Sequence, residues 1–288
     1  MATPPAVLSP AARLPVELVE MICNELAVLG RTLDYAGTLR WHRGCRCAAL
    51  AAAALVSRKW AGPAQTALLR SLHFASPKQC ADFLAAMEHT PSLLSRPRAV
   101  VFNVMGQYSM EISDNLPFIP VLLEKCHNVE FVCIYAEHNI RSPGFEYAIR
   151  NMKHLRTFVF ESNPAIGHGG NKWFRVSARH LPAQVRVLSL EDSTADLDIA
   201  LDMPIDLDLL EYHYLGANTH PVTHALNGLL GSPRPFRISK LNVYVEADQE
   251  PKYADGDVER FTAVFAARGV AFKLLTSAWD PTWRTWSG

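Results

Sequence analysis

The sequence predicts an α/β protein in which three N-terminal helices precede a stack of strand and connector units that share a parallel sheet. Two observations lead to this fold class. Apolar residues recur at helical spacing through the first 72 residues, whereas short β-type runs alternate with helical stretches beyond residue 75. At 288 residues and 49% hydrophobic, the chain is long enough to bury one large core or two ordinary ones.

The first helix is predicted from the stretch LPVELVEMICNEL. Its residues Leu14, Leu18, Ile22 and Leu26 recur every fourth position, so they share one helix face that has to be buried against another surface. Pro15 suits the first turn, where its missing N–H would be unpaired anyway. The preceding residues 1–12 are expected to form a flexible leader.

Two further helices are predicted from CRCAALAAAALV and RKWAGPAQTALLRSL, with Ser57 as the N-cap between them. Between the first and second helices, Gly30 and the stretch RTLDYAGTLRWHRG have no clean period and are interpreted as a loop. The three helices define a predicted helical domain at residues 13–74.

An internal repeat is predicted for the rest of the chain, residues 75–288. The spacing apolar-x-x-apolar-x-apolar recurs six times, with 24 to 30 residues between successive first positions. The triplets are Ala99, Phe102, Val104; Val129, Val132, Ile134; Leu155, Phe158, Phe160; Val185, Leu188, Leu190; Leu209, Tyr212, Tyr214; and Ile238, Leu241, Val243. One unit is too small to bury its own apolar face, so neighbouring units must stack into a curved solenoid with a parallel sheet. An open α/β sheet without true repeats is the alternative.

Helices or irregular connectors are expected between these strands. They are NLPFIPVLLEKC, FEYAIRNM, WFRVSARHL, VTHALNGLL and DVERFTAVFAARG, and VAFKLLT is expected to be the last strand. Beyond it, Trp279, Trp283 and Trp286 either cover the open end of the stack or belong to a flexible terminus.

The composition excludes several classes of function. Basic and acidic residues number 28 each, so no net field attracts nucleic acid or an anionic membrane. The most apolar run, Cys47–Val56, is about half the roughly 20 residues of a membrane-spanning helix, and no signal sequence is visible, so a cytoplasmic or nuclear location is expected. The six cysteines form no C-x-x-C pair and are expected to be reduced and buried.

Catalytic and metal-binding motifs are weak. The glycines of IGHGGN, residues 166–171, lack the Lys-Ser/Thr ending of a phosphate loop. The histidines at 213, 220 and 224 with Glu211 are interpreted as scattered surface residues, and His42, Cys45 and Cys47 lack a fourth ligand. The acidic stretch 192–208 is interpreted as a solvated loop. No catalytic residue, metal or cofactor is therefore expected, and a small α/β enzyme is a distant alternative.

The N-terminal region resembles the F-box, the three-helix module through which substrate receptors bind the Skp adaptor of cullin-RING ubiquitin ligases. The resemblance covers residues 13–74: a Leu-Pro step, an amphipathic helix, then LVSRKW and LLRSLHF. It implies that these residues pack inside the module or face the adaptor: Leu14, Pro15, Leu18, Ile22, Leu55, Val56 and Trp60. The span from Leu14 to Trp60 is longer than usual because of residues 30–46, and a connector tolerates such an insertion at small entropic cost. Short F-box proteins of filamentous fungi often carry one.

The C-terminal region resembles the irregular leucine-rich repeats that follow many F-boxes. The expected asparagine after the last apolar position occurs only at Asn163. At the corresponding positions of the other units stand Gln107, Glu137, Ser193, Ala217 and Glu246. Divergent repeats are therefore expected.

Together the two resemblances imply a non-catalytic substrate-recognition subunit of a Skp-cullin-F-box ubiquitin ligase in the ubiquitin conjugation pathway. The target protein is not specified by the sequence, and neither nucleic acid nor membrane is an expected partner. Strand alternation is expected to turn the polar residues between the apolar positions outward, together with Cys133. The candidates for substrate binding are Arg156, Arg186, Ser189, His213 and Asn242, and further outward positions are Glu130, Cys133 and Thr157. The alternative function is a repeat scaffold for protein–protein interaction that recruits no ligase.

Overall fold

The computed structural model describes residues 14–28, 31–33, 39–41, 45–74, 76–103, 118–136, 143–162, 180–191, 197, 203–214, 220–231, 236–246 and 256–277. The predicted leader and the tryptophan-rich tail lie outside them. The chain divides into two compact units, Met1–Leu72 and His73–Gly288. The α/β class with a parallel sheet and helices is confirmed. No helix within the described segments is both long and apolar enough to cross a membrane.

The N-terminal unit contains the helices α1 (Val16–Val28), α2 (Cys45–Val56) and α3 (Arg58–Arg70). Helix α1 packs against both α2 and α3. Their shared core is formed by Val19, Cys23, Leu50, Ala53, Trp60, Ala64 and Ala67. Arg70 Nη1 also donates a hydrogen bond of 2.5 Å to Asn24 Oδ1, which ties the end of α3 to α1. The unit therefore has a small core of its own.

Ser57 is the N-cap residue of α3, as predicted, but it caps the helix without its side chain. Its backbone is extended, yet its side chain makes no capping hydrogen bond. Its buried Oγ has no hydrogen-bond partner among the described residues. The helix begins instead through the main chain, because the Ser57 carbonyl accepts hydrogen bonds of 3.0 Å from the N–H groups of Trp60 and Ala61.

The connector between α1 and α2 contains secondary structure that the sequence interpretation missed. Strands β1 (Arg31–Leu33) and β2 (Leu39–Trp41) form an antiparallel ribbon in which Arg31 lies opposite Trp41. The prediction of a loop without regular structure was wrong for these residues. Three-residue strands are too short for an alternating pattern to be recognised.

The C-terminal unit is an eight-stranded sheet with helical connections. Its elements are β3 (Ser71–Phe74), α4 (Pro77–Met87), a 3-10 turn (Pro91–Ser95), β4 (Ala99–Asn103), α5 (Phe118–Lys125), β5 (Phe131–Ala136), α6 (Pro143–Arg150), β6 (Thr157–Ser162), β7 (Val187–Glu191), β8 (Leu209–Tyr214), α7 (His220–Gly231), β9 (Lys240–Glu246), α8 (Asp257–Ala267) and β10 (Ala271–Ser277). Strands β3 to β10 lie in sequence order, and each pairing from β4 to β10 is parallel. In a doubly wound sheet the strand order reverses at one point. Here each new strand is added beside the previous one along the whole sheet, so the units stack in one direction.

Helices pack on the same face of the sheet at both ends of the stack. At one end, Phe272 of β10 stacks on Phe265 of α8, with ring centroids 5.1 Å apart. At the other, Phe102 of β4 stacks on Phe74 at 5.8 Å, and Phe74 contacts Phe83 of α4 at 5.5 Å. We call this side the helix face and the opposite side the second face.

The cross-strand register corrects two of the six predicted triplets. Residues of the helix face pair in a row that runs Val100, Val132, Phe158, Leu188, Leu210, Leu241 and Phe272. The first triplet is therefore Pro97, Val100, Phe102, and the fifth is Leu207, Leu210, Tyr212; both predictions lay two residues too late. Strand periodicity is two, so apolar residues at both ends of a strand permit such a shift.

The units also repeat at the level of the backbone. Before four successive strands, one carbonyl accepts two N–H groups of the next unit at 2.8 to 3.1 Å. These carbonyls belong to Arg98, Glu130, Arg156 and Arg186. These consecutive units therefore share the same backbone geometry before their strands.

Side-chain amides bridge consecutive units just before the strands. Asn128 Nδ2 donates to the Ser95 carbonyl and Gln184 Nε2 donates to the Met152 carbonyl, both at 2.8 Å. Asn128 and Gln184 each precede the first buried residue of a triplet. Amide side chains therefore bond to backbone carbonyls just before these strands. The leucine-rich-repeat pattern had instead predicted an asparagine after each strand.

Two elements next to the unit boundary were not predicted. Residues Ser71 and Leu72 belong to strand β3, although the sequence placed them at the end of the third helix. Helix α4 was missed altogether. Its start carries a recognisable signal, because Ser76 Oγ accepts a 3.3 Å hydrogen bond from the Gln79 N–H and Pro77 occupies the first turn.

We predict that Asn128→Ala lowers the free energy of unfolding of the C-terminal unit by about 1 kcal/mol, because it leaves the Ser95 carbonyl without its amide donor. Urea unfolding followed by far-UV circular dichroism measures the change. The exposed Lys153 provides a control, since Lys153→Ala removes no such contact. Equal effects of the two substitutions would contradict a structural role for the amide.

Candidate functional site

The N-terminal unit exposes large apolar side chains on two of its helices. They are Val16, Leu18, Met21 and Ile22 of α1 and Leu55 and Val56 at the end of α2; we call them the apolar surface. Leu55 is 87% exposed and Met21 54%. Leu18, Met21 and Ile22 are spaced i, i+3 and i+4, so they project from one side of α1. Large exposed apolar residues on one helix side indicate a site for another protein.

The opposite side of α1 is the one that is buried. Val19 and Cys23 are 0% and 1% exposed, and Leu26 packs partly against the core. The predicted row is therefore divided, because Leu14 and Leu26 pack partly against the core whereas Leu18 and Ile22 are exposed. Apolar residues surround most of this helix, so their spacing alone could not distinguish the stripe that faces the core from the one that faces solvent.

The seven residues that the F-box resemblance nominated divide into two groups. Leu18, Ile22, Leu55 and Val56 belong to the apolar surface, and Pro15 is exposed beside it. Leu14 packs partly against the core, and Trp60, 9% exposed, lies within it. Trp60 is thus a core residue in the structure, and its nomination as an adaptor contact is corrected accordingly. Val16 and Met21 were not nominated, although their exposed apolar side chains extend the surface.

We predict that Trp60→Ala lowers the free energy of unfolding of the N-terminal unit by about 3 to 5 kcal/mol, since it opens a cavity in the core. Leu55→Ala should change it by less than about 0.5 kcal/mol, because this side chain is almost fully exposed. Denaturant titration compares the two variants. A large loss of stability in Leu55→Ala would show that this residue is needed by the fold.

The second face of the sheet changes character along the stack. One cross-strand row runs Val101, Cys133, Val159, Ser189, Glu211, Asn242 and Lys273. Its first three residues are buried and apolar, whereas the next four are polar or charged. The polar part lies on β7 to β10.

The predicted substrate-binding residues fall in two places. Ser189, His213 and Asn242 come together on the polar part of the second face, whereas Arg156 and Arg186 precede strands β6 and β7 at another edge. The expected outward exposure was wrong for three positions, because Ser189 and Asn242 are 7% and 4% exposed and Cys133 is fully buried. Strand alternation correctly predicted that these side chains lie on the second face, but that face is not open to solvent at these three positions.

Four side chains on the second face form what we call the polar cluster: Glu211 and His213 of β8, and Asn242 and Tyr244 of β9. The rings of His213 and Tyr244 stack with centroids 4.3 Å apart and planes 5° from parallel. Tyr244 Oη donates to Glu211 Oε1 at 3.2 Å, and Asn242 Nδ2 donates to Tyr244 Oη at 3.4 Å. Sequence alternation indicated His213 and Asn242, whereas Tyr244 was not among the candidates.

Charges at the starts of the strands have both signs. Arg98 Nη1 lies 3.1 Å from Glu130 Oε1, with both side chains about half exposed. Arg186 Nη1 donates instead to the Asp206 carbonyl at 2.8 Å. Arg156 and Glu130 are exposed, and Thr157 is partly so. This edge therefore presents no uniform field to a charged partner.

The described residues give no support to the sequence patterns that might have bound a metal. No group of three or more His, Cys, Asp or Glu side chains among them could hold a metal ion. Glu211 and His213 both interact with Tyr244, and His224 is exposed on α7. The side chains of His42, Cys45, Cys47 and His220, and the segment 166–171, lie outside what the structure describes.

The described cysteines Cys23, Cys80, Cys126 and Cys133 are buried. Burial raises the pKa of Cys80 and of Cys126 to about 12, with the neighbouring Cys126 adding to the shift at Cys80. Burial also raises the pKa of Cys23. A thiol nucleophile acts as its thiolate, so these cysteines are protonated and unreactive at neutral pH.

We predict that a thiol reagent labels Cys80 and Cys126 at neutral pH only after the chain is unfolded, which site-resolved mass spectrometry can test. Their pKa is about 12 in the folded chain and 9.0 without burial, so only the unfolded chain releases these protons between about pH 9 and 12. The denaturant midpoint should therefore fall as the pH rises through this range. Rapid labelling of the folded chain would contradict the burial.

No protein-family model matches this sequence, and no curated protein matches it either.

Proposed function

We propose that this chain is an F-box protein that acts as the substrate-recognition subunit of a Skp-cullin-F-box ubiquitin ligase. The observation that carries the proposal is the apolar surface, which the N-terminal unit exposes although its three helices already share a core. The order of the sequence motifs, from the Leu-Pro step to LVSRKW, supports the same assignment.

The energetics of the apolar surface favour a protein partner. Burying one Leu, Ile, Val or Met side chain fully gains about 1.5 to 3 kcal/mol. Residues at i, i+3 and i+4 on one helix side are the usual anchors of a helix that lies in the groove of a partner. Leu18, Met21 and Ile22 have this spacing, and Leu55 and Val56 offer further apolar contacts. An adaptor with an apolar groove is the partner that this pattern fits.

The C-terminal unit would then be a divergent leucine-rich-repeat-like domain that binds the target protein. The one-directional strand order and the repeated backbone bonds before the strands support this part of the proposal. The receptor performs no chemistry. It raises the effective concentration of the target near the ubiquitin-charged enzyme, in the cytoplasm or the nucleus.

The competing function is a repeat scaffold that binds another protein but recruits no ligase. In this alternative the C-terminal unit still binds a protein, as in our proposal, but the apolar surface does not bind an adaptor. A scaffold has no need of the adaptor, so adaptor binding by the intact chain separates the two.

We predict that Leu18→Asp and Leu55→Asp each weaken binding of the full chain to a Skp-type adaptor by about 100-fold or more, because each places a charge in an apolar interface. Biolayer interferometry with purified adaptor measures the dissociation constants. These positions are preferable to Leu14, which packs partly against the core. A substitution at Leu14 would weaken adaptor binding even if it only unfolded the unit.

Tyr147→Asp supplies the matched control. Tyr147 is 64% exposed on α6 of the other unit, so the same change of chemistry there should leave adaptor binding unaltered. Failure of the unsubstituted protein to bind the adaptor would refute the ligase function. Equal losses in all three variants would show that the apolar surface is not the contact.

A further inference from the structure

The polar cluster lies on β8 and β9, within the polar part of the second face. Val101, Cys133 and Val159 occupy the equivalent row on β4 to β6 and are buried. Buried polar side chains destabilise a fold unless they are hydrogen-bonded, and apolar residues fill the same row two strands away. The stacking of the units therefore does not require Glu211 and Asn242, which points to a role in binding.

The hydrogen bonds of the cluster have a defined direction. A carboxylate only accepts, so Tyr244 Oη donates to Glu211. The tyrosine oxygen can then accept from Asn242 Nδ2, which leaves Asn242 Oδ1 pointing away from this bond. That oxygen is buried and has no partner among the described residues. The bonds therefore run from Asn242 through Tyr244 to the Glu211 carboxylate, and Asn242 Oδ1 is the acceptor that they leave unsatisfied.

We propose that the polar cluster binds an arginine side chain of the target protein. Glu211 and Asn242 are register partners on neighbouring strands, and the backbones of such strands lie about 4.8 Å apart. A guanidinium presents five N–H groups in a planar fork and can span two acceptors at this separation. The Glu211 carboxylate supplies the opposite charge, and it accepts several hydrogen bonds at once, so its bond from Tyr244 does not prevent ion pairing.

The two strands of the cluster differ in exposure. Glu211 and His213 are partly exposed, whereas Asn242 and Tyr244 are buried. Asn242 must rotate to bring Oδ1 to a ligand, and the bond that holds it is long, 3.4 Å against a usual value of about 2.9 to 3.0 Å. Lys273, the cation at the end of this row, is exposed, so solvent and salt screen its repulsion of a second cation.

This inference rests on the proposed function only in assigning the arginine to a ligase target. The polar cluster and the apolar surface belong to different units of the chain. Peptide binding and adaptor binding can therefore fail separately. A chain that binds the arginine peptide but not the adaptor would retain the site and lose the ligase assignment.

The test uses the full chain and the peptides acetyl-Gly-Gly-Xaa-Gly-Gly-amide, in which Xaa is arginine, its neutral isostere citrulline, or glutamate. Calorimetry at low salt should give at least about tenfold tighter binding of arginine than of citrulline, as expected for a charge-assisted hydrogen bond. Glu211→Gln should abolish this preference. Glu130→Gln, a carboxylate near the start of β5 that pairs with Arg98, should preserve it.

Asn242→Leu separates binding from a structural role. It removes the buried acceptor without a partner, so the thermal midpoint should stay the same or rise while arginine binding weakens about tenfold. A structural asparagine would give the reverse, a lower midpoint with binding intact. The proposal is also overturned if no peptide binds, if arginine and citrulline bind equally, if glutamate binds more tightly, or if the preference survives in Glu211→Gln.

Discussion

The burial of the helix face is the constraint on which the C-terminal unit depends. Each strand and its connector contribute a few apolar side chains, such as Val132 and Ile134, that only neighbouring units can cover. Stacking in sequence order satisfies this requirement, and before four successive strands one carbonyl joins its unit to the next through two hydrogen bonds. Local apolar patterns thereby generate a long-range sheet without long-range connections in the chain.

The two candidate sites depart from the usual distribution of polarity in opposite ways. The N-terminal unit leaves Leu55 and Met21 in solvent, whereas the C-terminal unit buries Asn242 beneath its second face. Both arrangements cost free energy in the isolated chain, and a partner that covers apolar atoms or satisfies a buried acceptor would recover it. Under our two proposals, the adaptor would cover the exposed apolar residues and a target arginine would satisfy the buried acceptor.

Periodicity was sufficient to predict the class of fold and most of its elements, because stacking units must repeat their apolar positions. It could not fix the register of the triplets at Ala99 and Leu209, since a shift of two residues keeps every side chain on its face. It also could not select the buried stripe of α1, where Val19 and Leu18 are equally apolar. The site residues were harder to predict than the elements. Strand alternation indicated His213 and Asn242, but their contact with Tyr244 depends on which residues pair between the strands.

The central claim is that the apolar surface binds a Skp-type adaptor, and hydrogen exchange of the intact chain with and without purified adaptor tests it most directly. Our account predicts slower amide exchange in Val16–Val28 and at the end of Cys45–Val56, with no change in the helix His220–Gly231 of the other unit. Unchanged exchange in both N-terminal helices at saturating adaptor would contradict it.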